Sequence, residues 1–591
     1  MARRRFSAPL AGAIAGAHMA AKSLEPSLMP RSAIDQGLIM AGSFATGYVV
    51  GSTSARAVGL VPVLSGTAAL RMTRIVATGV HSAQFLRRFG ERSIGRTDET
   101  AAWTDTGKEI LTSVALAKVS SGETQPALGV ASTLAVAATT LSDAQTAVRI
   151  REDHVHANYL VTATGTAIGA VSAVAALVGA IRLSGHVARR TTGTTGFSGS
   201  VVYSSAALAA AGAIAAGAKV ALSRVIRSIA AGNRAVEIAY ADTPSTPTVA
   251  GGSYSLIPFD SLGLQGRRLV SVVTPTSTIE TVMGEPARKE PVRVFVGEES
   301  ASSTEERVEL AIQELRRAGG FERSAIVAVS PAGTGYVNYI TVEAMELMAR
   351  GDVATVAIQY GSLPSMLSMN KVAEASVLYG ALVQRLRTEI DDLDRDVSLF
   401  AYGESLGAQT GQNGIESISD GSALPVDGAL WVGTPYGTAL FTQMTAQNGT
   451  SVFDRPSQII GYVEAGNPIP LATFLNHDND PVTKFTPSMF YRMPEWLKSP
   501  DRGRGVNPHQ RWLPGIAFWQ GIIDTKNAAT VVPGEFKSTG HDYRADLATF
   551  TKIAFGFDDV TAEQMDRIEE KLRESEIERS DHIAEGKVQS A

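Results

Sequence analysis

The chain has 591 residues and no cysteine, and it carries 53 Lys and Arg against 58 Asp and Glu, a formal net charge of −5. That length predicts two or more domains. The missing cysteine excludes disulfides, Cys-ligated zinc, iron–sulfur clusters and thiol nucleophiles, and the acidic balance argues against a general nucleic-acid binder. The average conceals a split: residues 1–240 hold 23 basic and 12 acidic side chains, or +11, and residues 241–591 hold 30 and 46, or −16. Opposite electrostatics predict two domains in different surroundings.

The first half opens Met1-Ala2-Arg3-Arg4-Arg5, and sixteen uncharged residues follow, Phe6 to Ala21. Further uncharged runs are Gln36–Ala55, Thr124–Ser142, Ala157–Ile181 and Thr191–Ala218, each close to the ~20 residues that cross a bilayer core. They are rich in Ala, Gly, Thr and Ser, and small residues let helices approach closely, as Gly165 and Gly169 would. The expectation for 1–240 is a helical transmembrane domain of roughly four to six spans. It makes the chain a multi-pass cell-membrane protein with the bilayer as a partner. An Ala/Gly-rich helical bundle outside a membrane is the competing expectation. Ser23-Leu24-Glu25-Pro26-Ser27-Leu28-Met29-Pro30-Arg31 joins the first two runs, and its two prolines predict a stiff, non-helical connection.

Residues 241–291 are rich in Thr, Pro, Ser and Gly, with short β-like pieces such as Leu269–Val273, and read as a linker with an edge hairpin. From Val292 short apolar runs alternate with helical patterns. Strands are expected at Val292–Val296, Ala325–Val329, Val353–Ile358, Val397–Tyr402, Gly428–Val432 and Leu471–Leu475. Helices are expected from Ser303 to Gly319 and over Thr341–Ala349, Ala373–Ile390 and Ala408–Ile418. This rhythm predicts a mainly parallel sheet covered by helices on both faces over residues 292–557. Residues 558–591 follow as a charged helical or disordered tail.

Sites in such sheets form at the carboxyl ends of strands. After Tyr402 comes Gly403-Glu404-Ser405-Leu406-Gly407, the G-x-S-x-G nucleophile elbow, whose glycines permit a strained strand-to-helix turn that exposes a serine Oγ. Ser405 is the candidate nucleophile and the Leu406 N–H a candidate oxyanion donor. After Val329 the loop Ser330-Pro331-Ala332-Gly333-Thr334-Gly335-Tyr336 offers a second donor, at Thr334 or Gly335. It lacks the lysine of a phosphate loop. After Leu475 the segment Asn476-His477-Asp478-Asn479-Asp480-Pro481 supplies a carboxylate where a triad acid belongs, Asp480 first and Asp478 as the alternative. His477 with the two aspartates also has metal-ligand types, but no second ligand cluster supports a metal, and no cofactor is expected. Of the later histidines, His541 in Gly540-His541-Asp542-Tyr543 suits a base on a glycine-flanked loop better than His509 or His582.

In this order the motifs resemble the membrane-anchored α/β-hydrolase family of actinobacteria, with an N-terminal transmembrane domain and a C-terminal catalytic domain. The residues that carry the resemblance are Ser23–Arg31, Pro331–Tyr336, Gln359-Tyr360 with Leu363-Pro364-Ser365, Gly403–Gly407, Asp427–Gly433, His477 with Asp480-Pro481, and Gly540-His541. Glu25 stands where an uncharged residue is more usual. The resemblance implies a serine hydrolase with Ser405, Asp480 and His541 as nucleophile, acid and base. The leading expectation is an esterase or lipase acting on acyl esters, those of lipids first. An acyltransferase using the same triad, or a silent membrane scaffold or transport component, is the alternative. The aromatic residues Phe490, Trp496 and Trp512 suit either an interfacial, lipid-facing entrance or packing of a loop onto the core.

Overall fold

A computed structural model of the chain describes residues 8–60, 98–120, 237–365, 368–419, 424–448, 452–499, 501–528 and 531–589. In chain order the elements used below are α1 (Ala8–Lys22), α2 (Ala33–Leu60), α3 (Glu99–Ser120), α4 (Gly263–Ser271), α5 (Thr276–Met283), β1 (Val292–Val296), α6 (Thr304–Arg317), β2 (Ala325–Ser330), α7 (Tyr339–Met348), β3 (Val353–Ile358), α8 (Val372–Asp391), β4 (Ser398–Glu404), α9 (Leu406–Ile418), β5 (Gly428–Val432), α10 (Ala439–Asn448), β6 (Val452–Phe453), α11 (Pro456–Glu464), β7 (Ala472–Leu475), α12 (Pro481–Lys484), α13 (Glu495–Lys498), α14 (Ile516–Asn527), α15 (Leu547–Ala554) and α16 (Ala562–Gln589). They divide into two compact units. One holds the residues up to 216 together with Lys484–Ala528, and the other holds Gly217–Thr483 and Ala529–Ala591.

The second unit is built on a seven-stranded sheet in the order β1-β3-β2-β4-β5-β7-β6, with every pair parallel. Strands β1, β2, β3, β5 and β7 are buried along their whole length, which is why they read as continuous apolar runs rather than alternating ones. Helix α6 starts where its sequence places it. The Ser303 side chain accepts from the Glu306 N–H, and the Glu306 carboxylate accepts from the Ser303 N–H, so two otherwise orphaned donors are satisfied. Strand β6 escapes sequence reading because two residues carry no period. Residues 241–291 hold α4 and α5 in place of the expected hairpin, and Leu269–Ser271 is helical. Helix α16 is charged, yet it buries Ile568 and Leu572 in the core of this unit and pairs its Arg579 with the buried Glu343.

The first unit rests on close helix contacts. In α1 and α2 four glycines face the partner helix. A Cβ on Gly12 would lie 2.7 Å from the Tyr48 carbonyl oxygen, and one on Gly47 2.6 Å from that of Ala15. Gly16 and Gly51 are equally confined, against Phe44 and Ala11. Both helices thus carry glycines four residues apart on one side, and bare backbone there lets the two axes come together. The Ser23–Arg31 connection folds around Arg31. Its guanidinium donates to the carbonyls of Ser23 and Glu25, to the Gln36 side chain and to the Ser27 hydroxyl. Asp524 on α14 accepts from Ser27 Oγ at 2.7 Å and from the Leu28 N–H at 2.9 Å. Glu25 pairs with Arg511 and is itself buried. Trp512, fully buried, packs with Ala102, Met489, Met493 and Leu497, so at that position the aromatic insertion serves as core.

Among the described residues no helix is long and apolar enough to cross a membrane. This corrects the expected transmembrane bundle and the multi-pass cell-membrane location. Helix α1 has 15 residues, about 22 Å at about 1.5 Å per residue, against a hydrocarbon core of about 30 Å. Helix α2 is longer but carries Asp35, Gln36, Arg56 and several Ser and Thr side chains. The runs Thr124–Ser142, Ala157–Ile181 and Thr191–Ala218, with Gly165 and Gly169, lie outside the described residues.

Candidate active site

Ser405 sits between β4 and α9 with φ +57° and ψ −126°. Among the described residues, only one other non-glycine residue, Arg350, has a positive φ. Such a backbone costs about 1–3 kcal/mol and persists only where its surroundings force it. Here the Ser405 N–H donates to the Val432 carbonyl at 2.9 Å. A Cβ on Gly403 would meet the Gly407 carbonyl oxygen at 2.7 Å, and one on Gly407 would meet that of Ser330 at 2.2 Å. The two elbow glycines are therefore required by close approach. They seat the first turn of α9 against the start of the Ser330–Tyr336 loop, and the Ser330 and Thr410 hydroxyls bond at 2.8 Å across that seam.

Leu406 opens α9, where backbone N–H groups have no intrahelical acceptor. The Ser330–Tyr336 loop closes on itself through Ala332 N–H to Tyr336 and Gly335 N–H to the Ala332 carbonyl at 2.8 Å. Gly335 thus spends its N–H inside the turn, which corrects its candidacy as an oxyanion donor. The Thr334 N–H has no backbone acceptor among the described residues. Gln359 explains the Gln-Tyr motif. Its amide donates to the Thr334 and Gly361 carbonyls, both at 2.9 Å, and so fixes the loop from behind.

His541 is brought to Asp480. Its Nδ1 lies 2.7 Å from Asp480 Oδ2, and the aspartate is fully buried. The Tyr543 hydroxyl donates to the same oxygen at 2.6 Å. Asp478, the alternative acid, donates its backbone N–H to Asp454 Oδ1 at 2.9 Å. The imidazole lies over Gly433, directly after Val432, whose carbonyl holds Ser405. A Cβ on Gly433 would come within 2.6 Å of His541 Cε1, and the residue has φ +56°. His582 bonds to the Ala239 carbonyl and does not join this group, and His509 belongs to the other unit.

Electrostatics single out a residue that sequence reading passed over. Glu404, the variable position of the elbow, accepts from Asn338 Nδ2 at 2.7 Å and from the Tyr402 hydroxyl at 3.1 Å. Burial pushes its carboxyl up, against the opposing effects of His541 and these two donors. Burial works to lower His541, but the charge and hydrogen bond of Asp480, with Glu404 and Asp542, outweigh it and the net direction is upward. Tyr543 is pushed well up by burial and by Asp480, so it stays a donor. Nothing in the pattern Gly540–Tyr543 marked the tyrosine, whereas Gly433, a glycine directly after a strand, was a signal available to the sequence.

Residues 292–568 match the model of an alpha/beta-hydrolase family, and residues 24–272 match the model of that family's N-terminus. The chain belongs to the alpha/beta-hydrolase family. No curated protein and no solved structure matches it. The family supports a hydrolase-type function, and the parallel sheet with its strand-end elbow is the fold such a function uses.

Proposed function

We propose that the chain is a serine hydrolase that cleaves acyl esters through Ser405, His541 and Asp480. The observation that carries this reading is the convergence of three strand ends on one place. Ser405 is held in a strained turn at the end of β4, and the His541–Asp480 pair lies over Gly433 at the end of β5, with Asp480 supplied from beyond β7. His541 takes the Ser405 proton on Nε2 while its Nδ1–H is held by Asp480. The Ser405 oxygen attacks the acyl carbon, and the N–H groups of Leu406 and Thr334 receive the developing oxyanion. Collapse expels the alcohol, which takes the proton from His541. Water then enters by the same route and frees the acid from the acyl-enzyme.

The test is fluorophosphonate labelling together with turnover of a short-chain acyl ester by the full chain. Wild type is expected to label and turn over, Ser405→Ala to do neither, and His541→Ala to lose most of both. Undiminished turnover by a folded Ser405→Ala protein would refute the reading.

A further inference from the structure

A second histidine–aspartate pair lies behind the first, and the proposed mechanism does not use it. His477 is completely buried and Asp546 almost so. His477 Nε2 is 2.7 Å from Asp546 Oδ2, and its Nδ1 is 2.8 Å from the Gly540 carbonyl oxygen. A carbonyl only accepts, so Nδ1 carries a proton and donates it. Both ring nitrogens are therefore committed within the protein, and His477 has none left to take a proton from a serine.

Its position shows what those bonds hold. The Gly540 carbonyl belongs to the peptide that joins Gly540 to His541, and Gly540 sits at φ +59°, a conformation that leaves the direction of the next residue to its surroundings. The other backbone group of Gly540, its N–H, donates to Asn479 Oδ1 at 2.9 Å, and the Asn479 amide also donates to Thr539. Both polar groups of the residue before His541 are thus gripped by side chains of the 476–480 loop that carries Asp480. Asp546, at the head of α15, also accepts from Ser538 at 2.9 Å, and the His477 ring stacks on Tyr543 with centroids 4.1 Å apart. Asp546 fixes the ring, the ring fixes the Gly540 carbonyl, and that peptide aims His541.

We infer that His477 is a positioning residue that sets the orientation of the His541 imidazole through the Gly540 carbonyl. The inference rests on the reading of Ser405, His541 and Asp480 as a triad, and it concerns atoms that touch no substrate. Loss of this aim by about 1 Å costs on the order of a hundredfold in rate.

The decisive variant is His477→Phe, which keeps a ring against Tyr543 and removes both hydrogen bonds. His477→Gln keeps an amide able to donate to Gly540. Two readouts are taken on full-length protein whose folding is checked by thermal unfolding: the rate of fluorophosphonate labelling, and the downfield proton resonance of the His541 Nδ1–H···Asp480 bond, assigned by its loss in His541→Gln. Expected are a fall in labelling of about a hundredfold in the Phe variant, a partial return in the Gln variant, and a shifted or exchange-broadened His541 proton in Phe. A folded Phe variant with wild-type labelling and an unmoved His541 proton overturns the inference. Should the Phe variant not fold, Asp546→Ala removes the bond to Nε2 and frees the ring from behind, and the same unchanged pair of readouts there overturns it. Failure of the wild type to label would count against the triad itself, while the proton resonance, which needs no turnover, still decides the role of His477.

Discussion

At the scale of single residues, the site is governed by charges that face His541. A histidine whose folded pKa is raised contributes stability below its unfolded value of about 6.5 and loses it as pH rises through the folded value. Its service as a base runs the other way, since only the neutral ring accepts a proton. The acid limb of kcat/KM is therefore expected above pH 6.5 or so. Glu404→Gln removes one of the negative neighbours, and the limb is expected to move to lower pH. A pH–rate profile that stays in place would show that Glu404 does not act on the base. Gly433 offers a steric counterpart. Gly433→Ala forces a methyl against His541 and a non-glycine residue into positive φ, so a loss of about 1–3 kcal/mol in stability and a fall of about a hundredfold in kcat/KM are expected. Thermal unfolding and steady-state kinetics measure the two.

At the scale of elements, stability hangs on how ends and connections are satisfied. The capping box of α6 predicts that Ser303→Ala costs about 1 kcal/mol, measured by denaturant unfolding. The Ser23–Arg31 connection predicts a larger effect. Arg31 and Asp524 both bury their side chains almost completely, with N and O 3.7 Å apart. Burial raises the Asp524 carboxyl while Arg31 and the donors of the connection oppose it. Arg31→Ala leaves that carboxylate in the interior without its cation, so a loss of about 3–5 kcal/mol is expected. A melting curve that does not move would show the connection to be a mere spacer. The sequence announced a rigid non-helical link from two prolines, and the link is there. Its arginine-centred clamp was not legible, because the groups that complete it, Asp524 beside Arg31 and Arg511 on Glu25, lie nearly five hundred residues away.

At the scale of the whole molecule, the chain leaves the second unit after Thr483 and returns at Ala529. The excursion begins four residues after Asp480 and ends thirteen before His541, so the candidate acid and base bracket residues that pack with the N-terminal helices. The C-terminal helix is equally integrated. Deleting 562–591 strips Ile568 and Leu572 from the core and leaves Glu343 buried without Arg579. A clear drop in melting temperature is expected, and an unchanged one would make α16 dispensable. What the sequence determined by itself was local or periodic: buried strands as unbroken apolar runs, the α6 cap, and the strained elbow between two glycines. Those signals are carried by neighbouring residues and need no distant partner. Tertiary structure alone decided the rest. Runs of Ala, Gly, Ser and Thr suit a lipid span and a tight helix pair about equally, since such side chains carry little hydrophobicity and let helices approach closely in either setting; for α1 and α2 the two were separated by where the helices begin and end, α1 being only 15 residues long and α2 taking in Asp35, Gln36 and Arg56. Histidines and aspartates at 477, 480, 541 and 546 could pair in several ways. The fold gave His541 to Asp480 and His477 to Asp546, and in doing so it placed both ring nitrogens of His477 and both backbone polar groups of Gly540 in hydrogen bonds.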